Sequence, residues 1–134
     1  GLLKGRVEGG DVESLEAHGT GTSLGDPIEV QSVLEAMGKK RRKALCMSSA
    51  KTVFGHTETA AGILGVLRSV LSIQKQRVSA HLNLKTLNEF IGKGTMEGVK
   101  GVVPQESVEW KSETKLISVS SFGFSGTNAY VLLG

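Results

Sequence analysis

Two histidines stand beside glycine in loops that follow short apolar runs: His18 opens His18-Gly19-Thr20-Gly21-Thr22-Ser23-Leu24-Gly25, and His56 follows Gly55. Two neutral imidazoles directed at one point would stabilise a developing oxyanion or enolate with no metal. Lys51, five residues before His56, adds a positive charge that disfavours protonation of nearby imidazoles. The same spacing also fits two hydrogen-bonded structural histidines, and the residues alone leave both readings open. Two other chemistries fit less well. The first loop resembles a generic anion cradle, but it lacks the Gly-Lys-Ser/Thr ending of a nucleotide-binding loop, and Asp26 occupies the position where an anion would sit. A zinc site would combine His18 and His56 with Glu16 or Asp26, yet the histidines lie 38 residues apart and no short-range ligand pair accompanies them.

The elements that must position these residues follow from local patterns. Asp11 to Ala17 reads as a short strand leading into the first glycine-rich loop. Asp26-Pro27-Ile28-Glu29 predicts a helix start, with Asp26 as cap, Pro27 in the first turn and Glu29 as the carboxylate of a capping box. Val30, Val33, Leu34 and Met37 continue at helical spacing, and Gly38 can end the helix. Ala44 to Met47 is an apolar run suited to a buried strand. A second helix is predicted from Glu58 to Gln74, with so little polar face that it should be buried nearly all round. Its Gly62 and Gly65 should admit another backbone at close range. Residues 76 to 114 read as irregular, with a short helix near 86 to 91. Two closing strands, Leu116 to Ser120 and Ala129 to Leu133, flank a second glycine-rich bend. This order is that of an α/β fold, in which loops at strand ends usually carry the site.

Composition narrows the class. The chain has 134 residues, 39% hydrophobic and 22% charged, enough to bury a core. Glycine is abundant at 18 residues and aromatics are only 4%, which suggests closely packed aliphatic layers and not a base-stacking surface. The net charge of +3 is too mild to indicate nucleic acid. The basic run Lys39 to Lys43 reads first as a solvated helix end, with a nucleic-acid or carrier-docking patch as the alternative. No apolar run approaches the length of a membrane span. Cys46 is the single cysteine, which excludes an intrachain disulfide framework and fits a reducing compartment such as the cytoplasm. The opening residues have neither an initiator Met nor a signal-peptide layout, so the chain is expected to be cut from a longer one.

The motifs carry a resemblance. Glu16-Ala17-His18 through Asp26-Pro27-Ile28-Glu29 resembles the first-histidine signature of β-ketoacyl synthases, in the form found in type I polyketide synthases and related fatty acid synthases. Lys51 through Gly55-His56-Thr57-Glu58 resembles the second signature, and Ser120 to Ala129 resembles the closing glycine-rich loop. The resemblance implies a thiolase-like α/β fold, partial, with residues 1–134 forming the later part of its second half without an internal boundary. A mixed sheet packed with buried helices is expected. It implies a part in decarboxylative Claisen condensation, in which a malonyl-type extender reaches an enzyme-bound acyl group. In that scheme His18 and His56 would hold the extender carbonyl as it becomes an enolate. Lys51 would position and tune His56, and Thr20 and Thr22 would bind the phosphopantetheine arm. The amide of Phe124 would supply half an oxyanion hole, with its ring beside the acyl chain. The segment is expected to bind no metal or cofactor of its own. Its substrates would be acyl and malonyl-type thioesters, the extender carried on acyl carrier protein, and dimerisation would run through the earlier half.

Some residues depart from that pattern. The family's nucleophilic cysteine run, Asp-Thr-Ala-Cys-Ser-Ser, does not occur here, so the chain alone is expected to be inactive, and Cys46 reads as a core residue of a strand. Val53 stands where many relatives have Asn, and Tyr130 where many have His. His81 has no counterpart in the motifs and reads as an ordinary loop histidine. The alternative is a non-catalytic ketosynthase-like module that binds carrier protein or acts as a scaffold.

Overall fold

The computed structural model describes residues 7–37, 41, 43–92 and 101–134. Gly38, Lys39, Lys40 and Arg42, which bear on the predicted helix stop and basic run, lie outside the described residues. A five-stranded sheet runs in the order β4-β2-β1-β6-β7, with β1 Val12–Glu16, β2 Leu45–Ser48, β4 Gly101–Val102, β6 Leu116–Phe122 and β7 Asn128–Leu133. β1 pairs in parallel with β2 and β6, β2 in parallel with β4, and only β7 is antiparallel. The sheet is therefore mixed, as expected. β3 Arg77–Val78 and β5 Val108–Glu109 form a separate antiparallel pair, so the 76 to 114 region is less irregular than its sequence suggests. α4, at Glu89–Gly92, is the short helix expected there.

Helices cover both faces, which is why the central strands are buried on both sides. α1, Gly25–Met37, turns Val30, Val33 and Leu34 onto Val12, Leu15, Leu45 and Met47 of the sheet. α3, Ala61–Lys75, lies on the opposite face, where Val78, Trp110 and Ile117 form a smaller cluster joined by Cys46, Ile73 and Leu133. The expectation that α3 is buried nearly all round does not hold. Its inward face is Ala61, Gly65, Ser69 and Ser72, while Ile63, Leu67, Val70 and Leu71 are exposed. Small residues let the helix lie close to the sheet, and Ile63, Leu67, Val70 and Leu71 stay uncovered among the described residues. Side chains, not backbone, approach its glycines. A Cβ on Gly65 would stand 3.2 Å from Glu16 Cγ and Val119 Cγ1, and one on Gly62 would stand 3.1 Å from Ser121 Oγ.

The helix start at α1 also differs from expectation. The Asp26 carboxylate accepts the Gly21 N–H at 3.1 Å, and Thr22 Oγ1 accepts the Gly25 N–H at 3.1 Å, so a threonine takes the capping role assigned to Asp26. Of the basic run, Arg41 donates to the carbonyls of Gly9 and Val12, and Lys43 pairs with Glu13 at 3.3 Å. These two cations are bound to β1 and its approach instead of forming a free patch. No helix among the described residues is long and apolar enough to cross a membrane.

Candidate functional site

Both histidines emerge at the ends of neighbouring parallel strands, His18 after β1 and His56 beyond α2, Lys51–Phe54, which follows β2. Their rings are 5.6 Å apart between centroids and lie at 85° to each other. The third loop closes on them from β6: the Phe122 ring lies 5.3 Å from that of His18, and the Phe122 N–H donates to His18 Nδ1 at 3.4 Å. The Glu58 N–H donates to His56 Nδ1 at 2.9 Å. A neutral imidazole that accepts at Nδ1 carries its proton on Nε2. In its neutral form each histidine thus presents an N–H at Nε2, the tautomer needed to hold a developing negative charge.

Burial pushes the His18 pKa down, and the charges of Lys51 and of any protonated His56 push it further down, against Asp26. Lys51, the first residue of α2, has its own pKa lowered by burial, against the carboxylates of Glu16, Glu29 and Asp26. A charged Lys51 thus favours the neutral form of His18.

One carboxylate organises the His18 loop. Glu29, buried on α1, accepts the N–H of His18 at 2.8 Å and of Gly19 at 2.9 Å, and also the Ser120 hydroxyl from β6. Ser120 Oγ in turn accepts the His18 N–H at 3.2 Å. The sequence reading placed Glu29 in a capping box. Its partners are instead ten residues or more away in the chain, and its occurrence in the first-histidine signature was the available signal. Glu16, weighed only as a zinc ligand, and Ser120, quoted only in the closing loop, likewise have structural partners that the sequence does not assign.

The remaining candidates lie around this centre. Thr20 and Thr22 are exposed, with their hydroxyl oxygens 3.4 Å apart. Phe124 is exposed at the tip of the bend between β6 and β7, where Gly123 donates to Thr127 O at 2.6 Å and Gly126 has φ +90°. Cys46 sits in β2, partly buried, with its thiol pKa pushed up by burial and by Glu13. That is the reverse of an activated nucleophile. His81 lies in a loop, donating its backbone N–H to Pro104 O, with its Nδ1 buried and without a hydrogen-bond partner among the described residues. Among the described residues no cluster of three His, Cys, Asp or Glu side chains is arranged for a metal ion.

Comparison with known proteins bears on the family and the fold. Residues 2–85 match the family described as "Beta-ketoacyl synthase, C-terminal domain". The chain is 40% identical over 124 residues to the non-reducing polyketide synthase mapC of Penicillium roqueforti, covering 92% of this chain and 5% of that protein. It is 37% identical over 126 residues to the highly reducing polyketide synthase poxF of Penicillium oxalicum, again covering 92% of this chain and 5% of that protein. Among solved structures, the oxazolomycin ketosynthase domain of Streptomyces albus superposes with a TM-score of 0.84 at 29% identity, over 94% of this chain and 22% of that one. The ketosynthase from module 6 of the bacillaene synthase of Bacillus subtilis superposes with a TM-score of 0.80 at 32% identity, over 93% of this chain and 23% of that one. The chain thus spans a small part of each relative, and it shares the thiolase-like α/β fold of the ketosynthases. With sequence, fold and the two-histidine geometry in agreement, the chain belongs to the β-ketoacyl synthase family, within its C-terminal domain.

Proposed function

We propose that this segment supplies the histidine-bearing part of a ketosynthase site that performs decarboxylative Claisen condensation, with residues 1–134 forming one partial domain. The observation that carries the reading is the pair of imidazoles 5.6 Å apart, each accepting a backbone N–H at Nδ1 and so leaving Nε2 to face a substrate oxygen. In this scheme the bond from the extender's α-carbon to its carboxylate breaks, CO2 leaves, and the electron pair moves into an enolate. The enolate oxygen is held by the Nε2–H groups of His18 and His56. The enolate carbon then attacks the acyl thioester, a carbon–carbon bond forms, and the thiolate leaves. The nucleophilic cysteine comes from outside this segment, since Cys46 is not activated.

Lys51 keeps His18 neutral as well as positioning the His56 loop. Thr20 and Thr22 lie exposed beside the site, where a phosphopantetheine arm from acyl carrier protein would pass. The Phe124 amide would complete an oxyanion hole for the acyl carbonyl, and a homodimer would form through the earlier half of the domain. The exposed row Ile63, Leu67, Val70 and Leu71 on α3 is consistent with a helix that packs against that other half.

The test is His18→Ala and His56→Ala in the intact ketosynthase domain. Decarboxylation of malonyl-carrier should fall by about 100-fold or more in each, as when an oxyanion donor is lost, while acyl loading of the cysteine changes much less. Decarboxylation at the parental rate in both variants would overturn the enolate-holding assignment, whereas absence of decarboxylation in the intact parent domain would favour a non-catalytic carrier-binding module.

A further inference from the structure

A buried charge pair lies behind the two histidines and touches every segment that carries them. Glu16 ends β1, two residues before His18. Its side chain is 4% exposed, and that of its partner Arg68, from the middle of α3, is 10% exposed. Glu16 also accepts the N–H of Ala50, the residue immediately before Lys51 and α2. Arg68 extends the contact, donating to Ser48 Oγ at the end of β2 at 2.9 Å and to the carbonyl of Ala80 at 2.7 Å. Gly65, three residues earlier on α3, leaves the room that Glu16 occupies.

Stability alone is a poor account of this arrangement. Removing two charges from water offsets most of their attraction, and well-packed apolar residues of similar volume often serve a fold as well or better. What a fork of directional, charge-assisted hydrogen bonds adds is geometry. Two donors that must meet one enolate oxygen need such geometry, because a misplacement of about 1 Å can cost on the order of 100-fold in rate.

We propose that Glu16 and Arg68 are positioning residues that hold the end of β1, which carries His18, and the Ala50–His56 segment in a single register. This inference rests on the two-donor reading of the site. It differs from a structural role because it affects one partial reaction: cysteine loading does not need the two histidines converged on an enolate, whereas extender decarboxylation does.

The experiment uses the intact ketosynthase domain that contains this segment. Its readouts are melting temperature, the rate of cysteine acylation by an acyl thioester, and the rate of malonyl-carrier decarboxylation. The double variant Glu16→Gln with Arg68→Met removes the pair without leaving a lone buried charge. Arg68→Lys keeps the charge but loses the fork and provides a second measurement if the double variant does not fold. The ratio of decarboxylation to acylation should fall by roughly 10-fold or more in the double variant, and by about threefold in Arg68→Lys, by the same misplacement argument. A parental ratio in either folded variant overturns the proposal. His18→Ala is run in parallel: if that control decarboxylates normally, the two-donor reading fails. If the control is impaired and the pair variants are not, only the positioning inference fails.

Discussion

His18 and His56 stand 5.6 Å apart, but the loops that carry them are held in different ways. The His18 loop is secured by side chains from distant elements: Glu29 on α1 accepts two of its amides, Asp26 accepts a third at Gly21, and Ser120 on β6 joins Glu29. The His56 loop is short and exposed. Next to His56 the contacts are local, from the Gly55 N–H to the Lys51 carbonyl and from the Glu58 N–H to His56 Nδ1, and the long-range contacts of the segment fall earlier, at Ala50 and Thr52. His18 is therefore clamped directly by side chains of other elements, whereas His56 is set by local chain geometry on a segment anchored further back, at Ala50 and Thr52. Mutations should be costlier at His18 than at His56, and the cost should travel through different atoms.

The largest break in that contrast should come from Glu29→Ala in the intact domain. It leaves two loop amides and a buried hydroxyl without their carboxylate, a loss of about 2–4 kcal/mol, readable by urea denaturation. Glu58→Ala retains the N–H that His56 accepts and should stay within about 0.5 kcal/mol of the parent. Equal losses in the two variants would show that the clamp at His18 is not special.

Glycine substitutions sharpen the same comparison at smaller cost. Gly19 has φ +48°, and a Cβ there would stand 2.9 Å from Ser49 Cβ, so Gly19→Ala combines backbone strain with a clash and should cost about 2–3 kcal/mol. Gly55 has φ +71° and ψ −173°, backbone that is almost exclusive to glycine, with nothing within 4 Å, so Gly55→Ala bears the strain alone, about 1–3 kcal/mol. Thermal melts of the two variants measure the gap. A larger loss at Gly55 would reverse the comparison.

The smallest effect should be in pH. His18 has its pKa lowered from the ordinary 6.5 by burial, by Lys51 and by His56, against Asp26. In the window just below 6.5 the unfolded chain binds a proton that the folded chain refuses. The contribution of His18 to stability is therefore present above 6.5 and is lost as pH falls through the folded-state value. Melting temperature should decline with falling pH more steeply in the parent than in His18→Asn, and the acidic limb of decarboxylation should lie below 6.5. Identical slopes in the two proteins would remove the burial argument.

How α3 packs against the sheet offers a second contrast with the same lesson. α1 and α3 both read as apolar helices, and both form where expected, because helical spacing and capping are properties of a few neighbouring residues. α1 buries Val30, Val33 and Leu34, while α3 buries Ala61, Gly65, Ser69 and Ser72 and turns Ile63 and Leu67 outward. Nothing in the local pattern of α3 distinguishes these outcomes. The choice depends on how close Glu16 and Val119 stand to the helix.

The sequence by itself determined the α/β element order and the two histidine loops at strand ends, with His18, His56 and Lys51 as candidates, while Thr20, Thr22 and Phe124 became candidates through the resemblance to β-ketoacyl synthases. The element order, the loops and the histidine pair follow from residue type and short spacing, which act on the chain within a few residues. Only the tertiary structure decided which nitrogen each histidine presents, that Glu29 clamps His18 instead of capping α1, and that Glu16 meets Arg68 across 52 residues. A carboxylate accepts from whatever donor the fold brings within reach, and that donor is set by strand register and helix packing over the whole chain.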